Sequence, residues 1–476
     1  MRQVLIWRGQ IMVENVPAPL VYLMNTSFMR IFRAWLTRYI AEKPSLMTDL
    51  NVRLANGVFW SLAGSIALQG LTLLAAIPIA RLLGKEGFGE LGIIQSTIMT
   101  FAFFSGPSLG QTTTKYIAEL HFKDAERVGR IIGLTYVVGV AVSALLALLL
   151  YVAAPFLATR ALNAPSLSSS LEVAALVLFL TGINGAQLGI LSGYEAFRSI
   201  AMINFLRGLV TPPIMVLGAY FGGVKGVVIA LAAIMLITLL KTHRTVKSLV
   251  QKHSVTIRYR SAAQEWRILP AFYIPTVLSG IVSWPATWIA NAFLVNQPNG
   301  YAEMGIFNAA NQWRMAVQFL PTIVGQPTLP ILSNLYGKNA SRDFHRMLRV
   351  NLLLAVAVAL IPALFIAAAS RFIMQAYGGG FSQGASVLIV LVLTTVLSTP
   401  SAVIGTAISS VGKRWQAAGL NFIWAASFLG ASLALVHYGA IGLAFAYLLS
   451  YLIHLLVVGV YALFVLRPML GMEDPL

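Results

Sequence analysis

Apolar residues in this chain gather into long runs bounded by short polar turns, and the runs recur from residue 55 almost to the C-terminus. A hydrocarbon layer about 30 Å thick is crossed by about 20 apolar helical residues, and the runs reach that length repeatedly. Twelve spans are predicted: 55–80, 88–109, 131–157, 171–192, 199–220, 223–240, 268–295, 303–328, 350–373, 385–410, 415–436 and 440–466. The pairs around Gly222 and Gly439 are separated by very short turns. The expected fold class is an all-α integral membrane protein of about 12 transmembrane helices.

The polar positions add direction. Of the 33 Lys and Arg residues, 26 fall in the N-terminal arm and in alternate connections, five fall on the opposite side, and two, Arg207 and Arg314, lie inside predicted spans. The positive-inside rule makes the richer side cytoplasmic, together with both termini. A net charge of +18, with only 15 acidic residues, would suggest a nucleic-acid partner in a soluble protein. Here the one-sided distribution assigns it to topology and anionic lipid, so nucleic acid is not required. Composition agrees: 58% of residues are hydrophobic and 10% charged, against roughly 25% charged in soluble domains. The absence of cysteine excludes disulfides, Fe–S clusters and thiol catalysis. No phosphate-binding P-loop and no metal-spaced His cluster occurs, so neither a cofactor nor a metal is expected.

One motif invites a different reading. GFGELG at 87–92 matches the G-x-G-x-x-G of dinucleotide sites, but that fingerprint needs a strand before it, and a spanning helix precedes it here. Its glycines are expected to end one helix and turn the chain at an outer corner. The motif is echoed by GYAEMG at 300–305; KDAER at 123–127 is echoed by KNASR at 338–342; Gly223, Gly226 and Ala230 are echoed by Gly439, Gly442 and Ala446. Three matches in one order, 213 to 216 residues apart, indicate an internal duplication. The expected organisation is an arm at 1–50, a six-helix lobe at 51–240, a basic cytoplasmic connector at 241–267 and a second six-helix lobe at 268–470. Parallel duplicated lobes with a central cavity between them are the architecture of alternating-access transport.

Candidate chemistry lies inside the spans. No carboxylate is placed deep in the membrane, which disfavours a cation exporter that titrates a buried acid. Arg207 lies nine residues past Arg198, about 14 Å deep, and Arg314 lies eleven residues past Glu303, about 17 Å deep. A guanidinium there should meet an anion in a watery cavity, unless it snorkels or bonds backbone carbonyls. Helical spacing puts Asn308, Asn311, Arg314 and Gln318 in one sector, and Gln95 is the position matching Asn308 in the first half. These amides suit sugar hydroxyls or helix-to-helix hydrogen bonds equally. Trp284, Trp288, Trp313 and His454 are weaker candidates, more often packing or structural.

The stretches NGVFWSLAGSIALQG at 56–70 and ARLLGKEGFGELGII at 80–94 resemble the polysaccharide transporters of the multidrug/oligosaccharidyl-lipid/polysaccharide flippase superfamily, over 417 of 476 residues. The resemblance implies two six-helix lobes in a bacterial inner membrane. It also implies transfer of a polyprenyl-diphosphate-linked oligosaccharide, an O-antigen or exopolysaccharide repeat unit, to the outer leaflet, with glycosyltransferases and a polymerase as pathway partners. Cationic cavities in that family fit Arg207 and Arg314 as diphosphate contacts. The arm departs from the family pattern and reads as a misplaced start before Met47, the alternative being an amphipathic anchor lying on membrane lipid. A multidrug or cation antiporter of the same superfamily is the rival function. A glycan polymerase or ligase, the enzymatic rival, lacks a large outer loop carrying an acidic pair.

Overall fold

The computed structural model describes residues 49–466, except 275, 278–281, 326–327 and 339. Most of the arm, the alternative start at Met47 and the last residues of the second lobe, from Arg467 on, fall outside the described residues. The chain divides into two units, Met1–Phe59 and Trp60–Leu476, and the architecture below is that of the second.

All described regular structure is helical. In chain order the first half holds α1 (Asp49–Phe103), α2 (Gly106–Leu120), α3 (Ala125–Phe156), α4 (Ser168–Gly193) and α5 (Phe197–Lys252). The second holds α6 (Ser283–Val295), α7 (Gly300–Gly325), α8 (Thr328–Gly337), α9 (Ser341–Ala368), α10 (Ser370–Ala376), α11 (Ala385–Ser410), α12 (Arg414–Leu435) and α13 (Ala440–Tyr461). Eight stretches are long and apolar enough to cross a bilayer, among the described residues. Two of them, Leu62–Leu120 and Phe197–Lys252, are 59 and 56 residues long, more than twice the roughly 20 that one crossing needs. Each doubles back at a glycine, Gly84 (φ 68°) in the first and Gly223 (φ 55°) in the second, where side-chain-bearing residues are strained. Gly439, the duplicate of Gly223, also has positive φ (73°) and starts α13. The sequence echo at these two positions is therefore a backbone requirement.

Two expectations change. The predicted spans at 268–295 and 303–328 are not among the eight; in the second, α7 carries Asn308, Asn311, Gln312, Arg314 and Gln318 in its central turns. The glycines of GFGELG do not turn the chain, since Gly84 does so and Gly87, Gly89 and Gly92 lie inside the helix that follows. They are spent on a close crossing. A Cβ on Gly89 would lie 1.9 Å from the Tyr301 carbonyl oxygen, and one on Gly305 would lie 1.9 Å from that of Lys85. Gly92 meets the Asn308 side chain, 2.9 Å from where its Cβ would be. The duplicated motif is thus the place where the two halves touch backbone to backbone.

Alternation along the chain puts the turns at Gly84, 157–167, Gly223, 296–299, 369–384 and 436–439 at one end, the corner end. Those at 121–124, 194–196, 253–267, Lys338 and 411–413 lie at the other, the connector end. At the corner end one apolar core is continuous across both halves and includes Ile79, Phe88 and Ile94 with Leu294, Phe307 and Leu443. Hydrogen bonds reinforce it: Arg81 Nε donates to Ala376 O (2.7 Å), Asn296 Nδ2 to Ala161 O (2.7 Å) and Tyr301 Oη to Leu162 O (2.7 Å). At the connector end the core divides. Ile117, Val128, Ile132 and Val250 form a cluster in the first half, and Phe344, Leu348, Ile408 and Leu420 form a separate one in the second.

The connector begins inside a helix, since residues 241–252 are the last turns of α5. Its remainder folds back onto α3, where Asp124 caps the helix by accepting from Arg127 N (2.8 Å). Arg258 N donates to Gly129 O (3.1 Å), and buried Glu265 accepts from Arg127 Nε (3.1 Å) and Arg130 Nε (3.2 Å). A Cβ on Gly129 would stand 2.1 Å from Thr256 O, so the glycine is what admits the connector so closely. Burial of the Glu265 carboxylate is offset by its two arginines.

The crossing at Gly305 makes a direct prediction. Gly305→Ala should lower the thermal unfolding midpoint of the purified protein, at an overpacking cost of about 1–3 kcal/mol. Gly70→Ala, whose added Cβ meets nothing within 4 Å, should be neutral or slightly stabilising. An unchanged midpoint for Gly305→Ala would rule out so close an approach.

Candidate functional site

α7 can bear polar side chains in its middle because its apolar residues already supply a buried face, including Ile306, Phe307, Ala310 and Val317. On its other sector Arg314 is held by its own helix. Its Nε donates to Asn311 Oδ1 (2.7 Å), and its Nη1 donates to Gln318 Oε1 (3.1 Å). Tyr447 of α13 completes the cradle, with its ring centroid 5.0 Å from the guanidinium carbon, a cation–π distance. Two amide oxygens and a ring face orient the guanidinium and hold it half-buried, yet none of them cancels its charge. No ion pair to Arg314 or Arg207 is found among the described residues, whereas Arg127, Arg130 and Arg258 at the connector end all pair with glutamates. An arginine so presented has N–H groups left over for an anion and suits the bidentate geometry of a phosphate.

Sequence reasoning grouped Asn308 with these residues, and the structure separates it from them. Asn308 is buried at the crossing between the halves, where its Nδ2 donates to Phe88 O (3.4 Å) against Gly92. Gln95, its counterpart in the first half, is half-buried and has no side-chain hydrogen bond among the described residues. Arg207 is half-buried on α5, one residue before Gly208, which packs against the backbone of Leu68 (3.1 Å to an added Cβ). The carbonyl of Arg207 accepts from Thr211 Oγ1 (2.7 Å) just ahead of Pro212 and Pro213, where the helix loses backbone donors. Its guanidinium has no hydrogen-bond partner among the described residues, and no hydrogen bond links it to Arg314. Hydrogen bonds join Asn311, Arg314 and Gln318; none joins Gln95, Arg207 or Asn308 to them among the described residues.

The tryptophans are engaged in packing. Trp284 stacks on Phe103 (5.8 Å), Trp288 Nε1 donates to Thr97 Oγ1 (2.8 Å), and Trp313 Nε1 donates to Tyr377 Oη (3.2 Å). With Asn291 Nδ2 donating to Ser96 Oγ (3.0 Å), these bonds tie α6, which belongs by sequence to the second half, to α1 of the first. Sequence reasoning missed Tyr447 and Tyr451. The signal was present in LAFAYLLSYLIHLL, where Tyr447, Tyr451 and His454 repeat at helical spacing in an otherwise apolar segment.

The family model described as polysaccharide biosynthesis protein matches residues 54–336. The EPS I polysaccharide export inner membrane protein EpsE of Ralstonia nicotianae is 24% identical over 392 residues, covering 80% of this chain and 88% of that protein. Among solved structures, the inward-facing conformation of a multidrug resistance MATE family transporter of the MOP superfamily superposes with a TM-score of 0.72 at 16% identity. The match covers 88% of this chain and 100% of that one. The lipid II flippase MurJ in an inward closed conformation gives 0.66 at 14% identity, covering 84% of this chain and 86% of that one. At such identities the structural likeness concerns the fold, which is shared with MOP transporters.

The cradle around Arg314 is testable as a coupled unit. Replacing Asn311 with Leu removes a hydrogen bond to a charged group and should cost about 1.5–3 kcal/mol of stability while Arg314 is present. In an Arg314→Met background the same replacement should cost little. The double-mutant cycle of thermal midpoints measures the difference, and additive effects would show that the bond does not hold the guanidinium.

Proposed function

The chain belongs to the polysaccharide biosynthesis protein family, and from that premise we propose that it is a flippase. It carries a polyprenyl-diphosphate-linked oligosaccharide, an O-antigen or exopolysaccharide repeat unit, from the cytoplasmic to the outer leaflet of a bacterial inner membrane. The relative named for polysaccharide export favours the exopolysaccharide. The observation that carries the reading is Arg314, a half-buried guanidinium held in place by neutral groups and left without an opposing charge among the described residues. A diphosphate supplies the missing anion, while the polyprenyl tail stays in lipid. Arg207 in the first half gives the diphosphate a second contact, and Asn311, Gln318 and Gln95 offer amides to the sugar. Asn308 acts at the crossing of the halves.

Both termini face the cytoplasm in this reading, by the Lys and Arg distribution, and the corner end faces outward. The two six-helix lobes then rock about the corner end, where they are joined, and the substrate enters from the connector end, where their cores are separate. The glycosyltransferases that build the glycan and the polymerase that extends it are the pathway partners.

Arg314→Ala should reduce surface glycan about tenfold or more, the equivalent of one charge-assisted contact of about 1.5–3 kcal/mol, at unchanged protein level. Lipid-linked intermediate should accumulate on the cytoplasmic side. Quantitative glycan staining and lipid extraction read the two outcomes. Normal surface glycan in the variant, or a deletion strain that gains drug sensitivity with its glycan intact, would sink the assignment.

A further inference from the structure

Within the second half, beside the Arg314 cradle, lies an open cavity of about 360 Å³ lined by α7, α8, α11, α12 and α13. Its lining mixes hydroxyl and amide groups with apolar ones, and among the described residues it contains no lysine, arginine, aspartate or glutamate. The hydroxyl groups of Ser398, Thr406 and Ser409 donate to carbonyls of their own helix, at Thr395 (3.0 Å), Ala402 (2.9 Å) and Gly405 (2.9 Å). With their protons so used, they present lone pairs to the cavity. Two further wall groups are unsatisfied. Among the described residues Ser401 Oγ has no hydrogen-bond partner, and His454, only 7% exposed, has none at either ring nitrogen.

These features specify the occupant's chemistry. A wall without formal charge neither demands nor repays an ion, whereas an acyl chain would leave the buried acceptors unsatisfied. What fits is a neutral molecule rich in hydroxyl donors. Size agrees: at about 30 Å³ per water the space holds about a dozen waters, enough for a single glycosyl ring with a few waters beside it. Tyr451 provides a flat apolar face in the same wall, of the kind against which the C–H face of a pyranose packs. The cavity also adjoins the charged site directly. Gln318, which accepts from Arg314, is itself a wall residue, so the anion-seeking guanidinium and the neutral cavity share one side chain.

We propose that this cavity is a glycosyl subsite, taking the sugar attached directly to the diphosphate while Arg314 takes the phosphate. The proposal rests on the flippase reading above. It assigns discrimination between glycans to the second half of the chain, to Ser401, Asn421, Tyr451 and His454, and places it one hydrogen bond away from a charge site that every diphosphate-linked substrate shares.

The test uses the full-length protein in lipid nanodiscs and two kinds of probe: a polyprenyl diphosphate, and a panel of the same lipid carrying one hexosyl or N-acetylhexosaminyl unit. Wild-type protein should bind at least one glycosylated probe about tenfold more tightly than the bare diphosphate, as a small number of added hydrogen bonds allows. Gly405→Leu fills the cavity from a wall position where an added Cβ meets nothing within 4 Å, and it should bring that ratio to about one. Ser401→Ala removes only an unpartnered oxygen, which makes it the variant to use if the larger one does not fold, and it should lower the ratio severalfold. Arg314→Ala should weaken every probe. A ratio of one in the wild type, or a ratio unaffected by either cavity variant, overturns the subsite while leaving the flippase reading in place. Failure of the wild type to bind any probe overturns both.

Discussion

The close crossing of α1 and α7 is the constraint on which the rest of the structure depends. Tyr301 O against Gly89 and Lys85 O against Gly305 bring two backbones together at separations that no side chain could share. Because the helices meet there, Phe88, Ile94 and Phe307 enter one core, and the carbonyls of Ala161, Leu162 and Ala376 come within reach of donors from the opposite half. Small residues have this role wherever helices associate in lipid, since van der Waals contact then replaces a hydrophobic driving force. The same motif occurs in both halves because each supplies one side of the crossing.

A union at one end leaves the other end free to differ. Toward the connector the apolar core separates into two clusters, and the basic connector is bound to α3 by Glu265, Arg127 and Arg130 and by the glycine at 129. The segment around α6 spans the divide: it belongs by sequence to the second half, yet Tyr273 Oη donates to Phe104 O (2.6 Å), and Trp288 and Asn291 bond α1. The two halves are thus joined through one core at the corner end and linked by α6, while at the connector end each keeps a core of its own.

Charge follows a comparable division of labour. At the connector end Arg127, Arg130 and Arg258 are paired with Glu126 and Glu265, as befits groups with a structural task. In the middle of the bundle the guanidinium of Arg314 is positioned by amides and a ring, so its geometry is determined while its charge is conserved. Glu303, in the echoed corner motif, is an example of the opposite use. Its carboxylate accepts from Ala440 N (2.8 Å) and caps the start of α13, where the helix dipole favours an anion.

Much of this was legible in sequence. Run length and the side bias of Lys and Arg need only local chemistry, so an all-helical membrane fold, the duplication and the grouping of Asn311, Arg314 and Gln318 on one helix face could be read without coordinates. The spacing of residues on one helix is a property of the chain itself. What lies opposite that helix is not, and it was here that sequence reasoning fell short. Asn308 shares a helix face with Arg314 but is claimed by the backbone of α1; Tyr447 and Tyr451 reach Arg314 and the polar cavity from a helix more than a hundred residues away; and the GFGELG glycines serve a crossing whose partner lies in the other half. Sequence alone determined which groups the membrane must accommodate, because their cost in hydrocarbon depends on residue type. Only the tertiary structure decided which of them are satisfied by neighbours and which remain open to a ligand, because that depends on which helices touch.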